Sequence, residues 1–163
     1  WSIFEMVDAT IQIECTRDIG RQILRHRSFS FQEFSQRYAE AFDFTKGEAR
    51  LQDTKNRQNS IETVDKELRD LWEDMQIDVL VLAKKHYKHA LSMGIAKEVA
   101  RKILPEGLTI SRMYMKGSLR SWIHYCELRR SNGTQKEHRL IADSCWEILN
   151  KEFPTVFSVT EEL

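Results

Sequence analysis

Apolar and polar residues alternate along the first part of the chain. Val7, Ala9, Ile11, Ile13 and Cys15 fall on one side, and Asp8, Thr10, Gln12, Glu14 and Thr16 on the other. A period of two predicts a strand with one face in a core and one in water. At Arg17 the period lengthens: Ile19, Ile23 and Leu24 mark the apolar side of a helix. Arg17, Arg21 and Arg25 stack at four-residue spacing on another side, with Gln22 and His26 as a second such pair beside them. This helix therefore delivers polar groups towards its C-terminal end.

Residues 43–59 are polar and read as a loop. A loop of that length in a compact domain favours a functional or subunit-contact role. Asn59 or Ser60 is expected to cap a long helix, with Glu62 and Asp65 near its positive end. Ile61, Val64, Leu68, Leu71, Met75, Val79 and Leu82 recur every three or four residues as its apolar stripe, and Gly94 is the expected stop. A second helix from about Ile95 must end near Leu104, because Pro105 disfavours helical backbone before it. Residues 110–115 read as a strand. Ser118 then opens a helix that turns Leu119, Trp122, Ile123 and Cys126 inward and breaks at Asn132-Gly133. Thr134 and Glu137 have the spacing of a capping box for the last helix, whose apolar positions include Leu140, Ile141, Cys145 and Ile148. Without regular βαβ alternation, these elements predict a helix-rich α+β fold.

Composition narrows the partners. At 163 residues the chain suits a single domain, 1–163, with a respectable core. Lys+Arg and Asp+Glu both total 25, whereas a generic nucleic-acid binder is basic overall. Positive charge is instead local: Arg17, Arg21, Arg25, Arg27 and Arg37 face only Asp18 and Glu33. That suggests a small anionic ligand, with no nucleic acid as partner. Cys15, Cys126 and Cys145 lack metal-type or CxxC spacing and read as reduced, buried thiols. No apolar run approaches the ~20 residues of a membrane span and no signal peptide is visible, so a soluble, cytoplasmic protein with no membrane partner is expected. The chain opens at Trp1, close to a strand and without an initiator Met, so N-terminal elements are expected to precede it.

The chemistry concentrates in two places. Arg25-His26-Arg27-Ser28-Phe29-Ser30-Phe31-Gln32-Glu33-Phe34-Ser35-Gln36-Arg37-Tyr38 interleaves guanidinium groups with aromatics. Guanidinium stays charged and presents a planar fork that fits phosphate oxygens in pairs. The bland reading is a solvated basic face with weak surface pairs. Ser35 and Arg37 point to one side if the segment is extended, so both could share one phosphate. Ser35 has no GxSxG elbow and no assignable base, which rules it out as a nucleophile. Between two arginines His26 is expected to be neutral. The second place is residues 118–129, where Arg120 and His124 lie one turn apart and Arg129 sits near the helix end. No GxGxxG follows a predicted strand, so no Rossmann-type site is expected.

An Arg-His-Arg triplet followed, after seven residues, by Ser is the signature of the flavin-dependent thymidylate synthases, which Arg25-His26-Arg27 and Ser35 resemble. Gln22, Glu33, Arg37 and Tyr38 flank it in keeping. Ser118-Leu119-Arg120, His124 and Leu128-Arg129 are similar to the family's second conserved region, Gln135 and Glu137 to its Gln-x-Glu, and Arg101 to a third position. The resemblance implies that family's fold, with an antiparallel sheet, and a homotetramer with FAD at subunit junctions. It implies reductive methylation of dUMP with methylenetetrahydrofolate and NADPH as co-substrates. Arg25, His26, Arg27, Glu33, Ser118, Arg120 and His124 would hold FAD. Gln22, Arg25, Glu33, Ser35, Gln36, Arg37, Arg101 and Arg129 would hold dUMP, with Arg129, at the uracil, the catalytic residue. Three departures stand out: Met6 where His is frequent, Ser118 where Asn is usual, and the missing N-terminal elements. The alternatives are a diverged member that binds nucleotide without turnover, and a non-catalytic nucleotide- or RNA-binding module stacking bases on Phe29, Phe31 and Phe34.

Overall fold

The computed structural model describes residues 1–41 and 43–160. A 3-10 turn, Ser2–Glu5, leads into β1, Asp8–Thr16, and α1, Arg17–Ile23. There follow β2, Ser30–Glu33, the short strands β3, Arg50–Gln52, and β4, Ser60–Glu62, and the long helix α2, Lys66–Ser92. The chain continues through α3, Lys97–Ala100, a 3-10 turn, Arg101–Ile103, and β5, Ile110–Ser118. Helices α4, Leu119–Arg129, α5, Lys136–Glu152, and α6, Pro154–Thr160, complete it.

β5 is the central strand of an antiparallel sheet ordered β1-β5-β2. Asp8 pairs with Ser118 and Thr16 with Ile110, so β1 and β5 match along their whole length. Glu33 of β2 pairs with Met113, which brings the arginine-rich segment against the middle of the sheet. Ile11, Ile13, Met113 and Met115 face the core. Gln12, Glu14 and Arg112 face water, with Glu14 and Arg112 paired at 2.6 Å. The α+β expectation holds, and the strand expected at 110–115 runs on to Ser118.

Helices α1, α4, α5 and α6 cover the inner face. Ser118 caps α4 by accepting from the Ser121 N–H at 3.3 Å, and Trp122 donates to the Ala9 carbonyl at 3.1 Å. Phe29 packs edge-on against Trp122 at 4.9 Å and lies directly over Gly117. A Cβ at Gly117 would sit 2.5 Å from the Phe29 ring, so the glycine is what admits the aromatic. Such aromatic pairs add about 0.5–1.5 kcal/mol beyond their buried area.

Several elements differ from expectation. The predicted 43–59 loop carries β3, which pairs with β4 as a hairpin. Side chains on α5 tether that hairpin: Glu137 pairs with Arg50, and Lys136 with Glu48 and Glu62. Ser60 is absorbed by β4, so Asp65, not Asn59 or Ser60, caps α2 by accepting from the Leu68 N–H at 3.1 Å. Gly94 stops the helix with φ of 82°, a backbone that suits glycine. The α2 stripe is not in the core. Leu68, Leu71, Met75, Val79 and Leu82 are exposed, while Gln76, Leu80 and Tyr87 are buried. Leu24, Leu140 and Ile148 are likewise exposed. Gln135, not Thr134, precedes α5, whose start has no side-chain cap, and α6 follows it.

Candidate functional site

The C-terminal ends of α1 and α4 meet the start of α5. Arg129, the last residue of α4, donates from Nε to His26 Nε2 at 2.9 Å. The ring of His26 stands edge-on to Tyr125 at 4.9 Å. An acceptor Nε2 means a neutral imidazole with its proton on Nδ1. Burial first, then the charges of Arg129 and His124, push the His26 pKa down to about 4. The neutral His26 expected from sequence is thus present, but burial is its main cause. Behind it, His138 Nε2 lies 3.1 Å from the Tyr125 hydroxyl and Nδ1 lies 3.4 Å from Gln22 Oε1, while Gln22 Nε2 donates to Gln135 at 2.7 Å.

Glu33 is held at the sheet. Ser111 Oγ donates to its Oε1 at 2.8 Å and Arg17 donates to the same oxygen at 3.1 Å. Next to it, a cavity of about 380 Å³ is lined by Arg17, Arg21, Gln36, Arg101 and Lys102, with Glu106 as the opposing charge. Its donor set suits an anion.

A third group gathers at the start of α4. Ser118 Oγ donates to Glu5 at 2.7 Å and Arg120 pairs with Glu5 at 2.9 Å, which holds the Glu5 carboxyl below its usual range. Residues 35–37 are not extended. The Arg37 N–H turns back onto Ser35 Oγ at 3.3 Å, and the Arg37 guanidinium pairs with Glu98 at 3.2 Å, so the side-by-side arrangement expected of Ser35 and Arg37 is not formed. Arg25 and Arg27 are exposed and form no ion pair among the described residues.

The predicted residues therefore occupy separate places on one chain. Gln22, His26 and Arg129 are together; Gln36 and Arg101 line the basic cavity, with Glu33 paired to its Arg17; Ser118 and Arg120 share Glu5. Over residues 1–155 the sequence matches the profile described as "Thymidylate synthase complementing protein". It is 53% identical over 161 residues to the flavin-dependent thymidylate synthase of Synechocystis sp., covering 99% of this chain and 74% of that one. The chain belongs to the flavin-dependent thymidylate synthase family. It is also 50% identical over 157 residues to the probable flavin-dependent thymidylate synthase of Paramecium bursaria Chlorella virus 1, covering 96% and 72%. The fold matches a UMP/dUMP methylase, PolB from Streptomyces cacaoi, with TM-score 0.88 at 23% identity, over 99% of this chain and 74% of that one.

For a flavin-dependent thymidylate synthase family member, the donor set fits an anionic flavin. Arg25 and Arg27 offer exposed guanidinium groups beside a neutral imidazole, and His124 lies close enough to His26 to shift its pKa. The thiols are poor nucleophiles: burial raises Cys15 to about 11 and Cys145 to about 12. The stacking platform of the RNA-binding alternative is absent, because Phe29 and Phe31 pack into the core and only Phe34 is exposed. Sequence reasoning missed Arg17, Ser111, Tyr125 and His138 as part of the site. Arg17 was visible only as local charge, and the other three are buried positions that a pattern reading assigns to the core. Among the described residues no helix is long and apolar enough to cross a membrane.

Proposed function

We propose that this chain is a flavin-dependent thymidylate synthase, methylating dUMP to dTMP with a bound FAD, methylenetetrahydrofolate as one-carbon donor and NADPH as reductant. The observation that carries the reading is the Arg129–His26 hydrogen bond at 2.9 Å, which joins the Arg-His-Arg triplet to the second conserved region. The reading makes residues 1–163 one domain.

Arg25, His26 and Arg27, with Ser118, Arg120 and His124, would hold FAD; Glu33 would lie between it and the nucleotide. The flavin supplies the hydride chemistry that no side chain in the site can perform. Arg17, Arg21, Gln36 and Arg101 line the basic cavity and are suited to the nucleotide phosphate; Ser35 and Arg37, the sequence neighbours of Gln36, would join them. Arg25 would reach the nucleotide as well as the flavin. Arg129 would meet the uracil, where a fixed cation favours negative charge on the ring and so raises its nucleophilicity. His26 holds only Nε of that guanidinium, and the terminal nitrogens have no protein partner among the described residues. Ser111 and Arg17 hold one oxygen of Glu33, so its other oxygen is available to a ligand.

A homotetramer with shared sites fits two features. The flavin and nucleotide residues are dispersed on one chain, and α2 carries an uncovered stripe from Leu68 to Leu82. A groove of about 710 Å³ beside it is lined by Trp72, Met75, Val79 and Leu140, all exposed. A second copy would bury this surface.

The test is the visible spectrum of protein mixed with FAD and freed of unbound flavin, followed by dUMP-dependent reoxidation of the reduced flavin. Retained flavin with dTMP formed supports the proposal. Retained flavin without product would make the chain a nucleotide-binding relative without turnover, and a colourless protein that binds dUMP a plain binding module.

A further inference from the structure

Behind the Arg129–His26 contact lies a hydrogen-bonded chain that the reaction as described does not use. His138 is fully buried, as is Tyr125 at 1% exposure, and both sit in the main core. Polar groups there are costly unless each is satisfied. The donors and acceptors admit one consistent direction. Gln22 Nε2 donates to Gln135 Oε1 at 2.7 Å, so Gln22 presents its carbonyl oxygen to His138. His138 Nδ1 must then carry the proton, donating to Gln22 Oε1 at 3.4 Å. That leaves Nε2 as the acceptor, and the Tyr125 hydroxyl donates to it at 3.1 Å.

We propose that His138, its ring anchored at Nε2 by the Tyr125 hydroxyl, is a positioning residue that together with Gln135 fixes the orientation of the Gln22 side chain for the nucleotide. This rests on the reading that Gln22 contacts dUMP. Gln22 is partly exposed at the surface of α1, where a free glutamine amide would rotate between equivalent orientations. The relay reaches inward from Gln22 to two rings that cannot move: Tyr125 packs on His26 at 4.9 Å, on Phe29 at 5.8 Å and on Trp122 at 5.8 Å. The oxygen end of a surface amide is therefore held from the core, and its nitrogen end by Gln135. A doubly protonated His138 could not accept from Tyr125. Burial first, and then the charge of Arg129, hold it neutral.

Two amides separate the roles of the ring. His138→Asn places a donor where Nδ1 is, and His138→Gln reaches the Tyr125 hydroxyl but offers nothing to Gln22. Gln22→Ala is the reference, with steady-state kinetics on flavin-loaded protein and the thermal midpoint recorded for each. In Gln22→Ala and His138→Gln the KM for dUMP should rise about ten-fold with kcat within about two-fold, the loss of one oriented hydrogen bond. His138→Asn should restore KM to within about two-fold of the parent. Tyr125→Phe, which deletes one hydroxyl and keeps the packing, should raise KM about three-fold and serves if His138→Gln does not fold. A raised KM in Gln22→Ala with unchanged KM in His138→Gln or Tyr125→Phe overturns the relay alone. An unchanged KM in Gln22→Ala overturns both the nucleotide contact and the relay. Equal shifts in His138→Asn and His138→Gln also overturn it, because a packing role would not tell the amides apart.

Discussion

Arg129 donates from Nε to His26 Nε2 across 2.9 Å, although the two residues lie 103 positions apart. The bond ties the end of α4 to the segment after α1 and aligns a permanent cation with a neutral ring. Fixed charge held by the protein before substrate arrives is the form of electrostatic stabilisation that requires least rearrangement during reaction.

Arg129→Ala removes that cation without touching the exposed arginines at positions 25 and 27. Turnover should fall at least about 100-fold, in line with the loss of a preorganised charge. The bound-flavin spectrum should stay close to that of the parent. Equal activity in this variant would sink the assigned role.

The half-buried His26 and the buried His138 give the fold a pH dependence of predictable sign. His26 and His138 are pushed from 6.5 down to about 4, so the unfolded chain binds protons there that the native chain does not. Their contribution to stability is present in full above about pH 6.5 and is lost as pH falls towards about 4. Urea unfolding across that range should show the decline, and His138→Gln should make it shallower. A variant slope identical to the parent's would refute the linkage.

Gly117→Ala brings a methyl group to 2.5 Å from the Phe29 ring. Overpacking of that kind costs about 1–3 kcal/mol. The urea midpoint should fall accordingly, and adding Phe29→Leu should recover part of the loss relative to Phe29→Leu alone. Independent, additive effects would mean that the two positions do not share the contact.

Glutamate at Leu71, Met75 and Val79 together tests the uncovered α2 stripe, since each position is exposed on a single chain. Surface substitutions of this kind are nearly neutral for the fold of one subunit. Circular dichroism should be retained while sedimentation shows a smaller assembly and flavin is no longer held. An unchanged sedimentation coefficient would remove α2 from the interface.

Much of the fold is legible in the sequence. Alternation in residues 7–16 gave β1, the shift to helical spacing at Arg17 gave α1, and Ser118 and Gly94 marked where α4 begins and α2 stops. The β3–β4 hairpin was not legible. Its strands are short and mostly exposed, and Arg50 and Lys136 hold it through partners on another element. No local pattern encodes such pairing. Asp65 capped α2 because strand pairing had already claimed Ser60, a competition between neighbours that propensity cannot weigh.

For the site, the residue types and spacings determined the family and the anionic character of the ligand, because guanidinium chemistry is independent of where the chain places it. Tertiary structure alone decided which of those groups meet. It brought His26 to Arg129, Ser111 and Arg17 to Glu33, and His138 to Gln22, and it turned Arg37 away to Glu98. It also buried Phe29 and left the α2 stripe bare. The reason is physical: periodicity records which side of an element is apolar, but only packing specifies what that side faces. Hydrogen bonds between distant residues have a range of about 3 Å and leave no trace in sequence spacing.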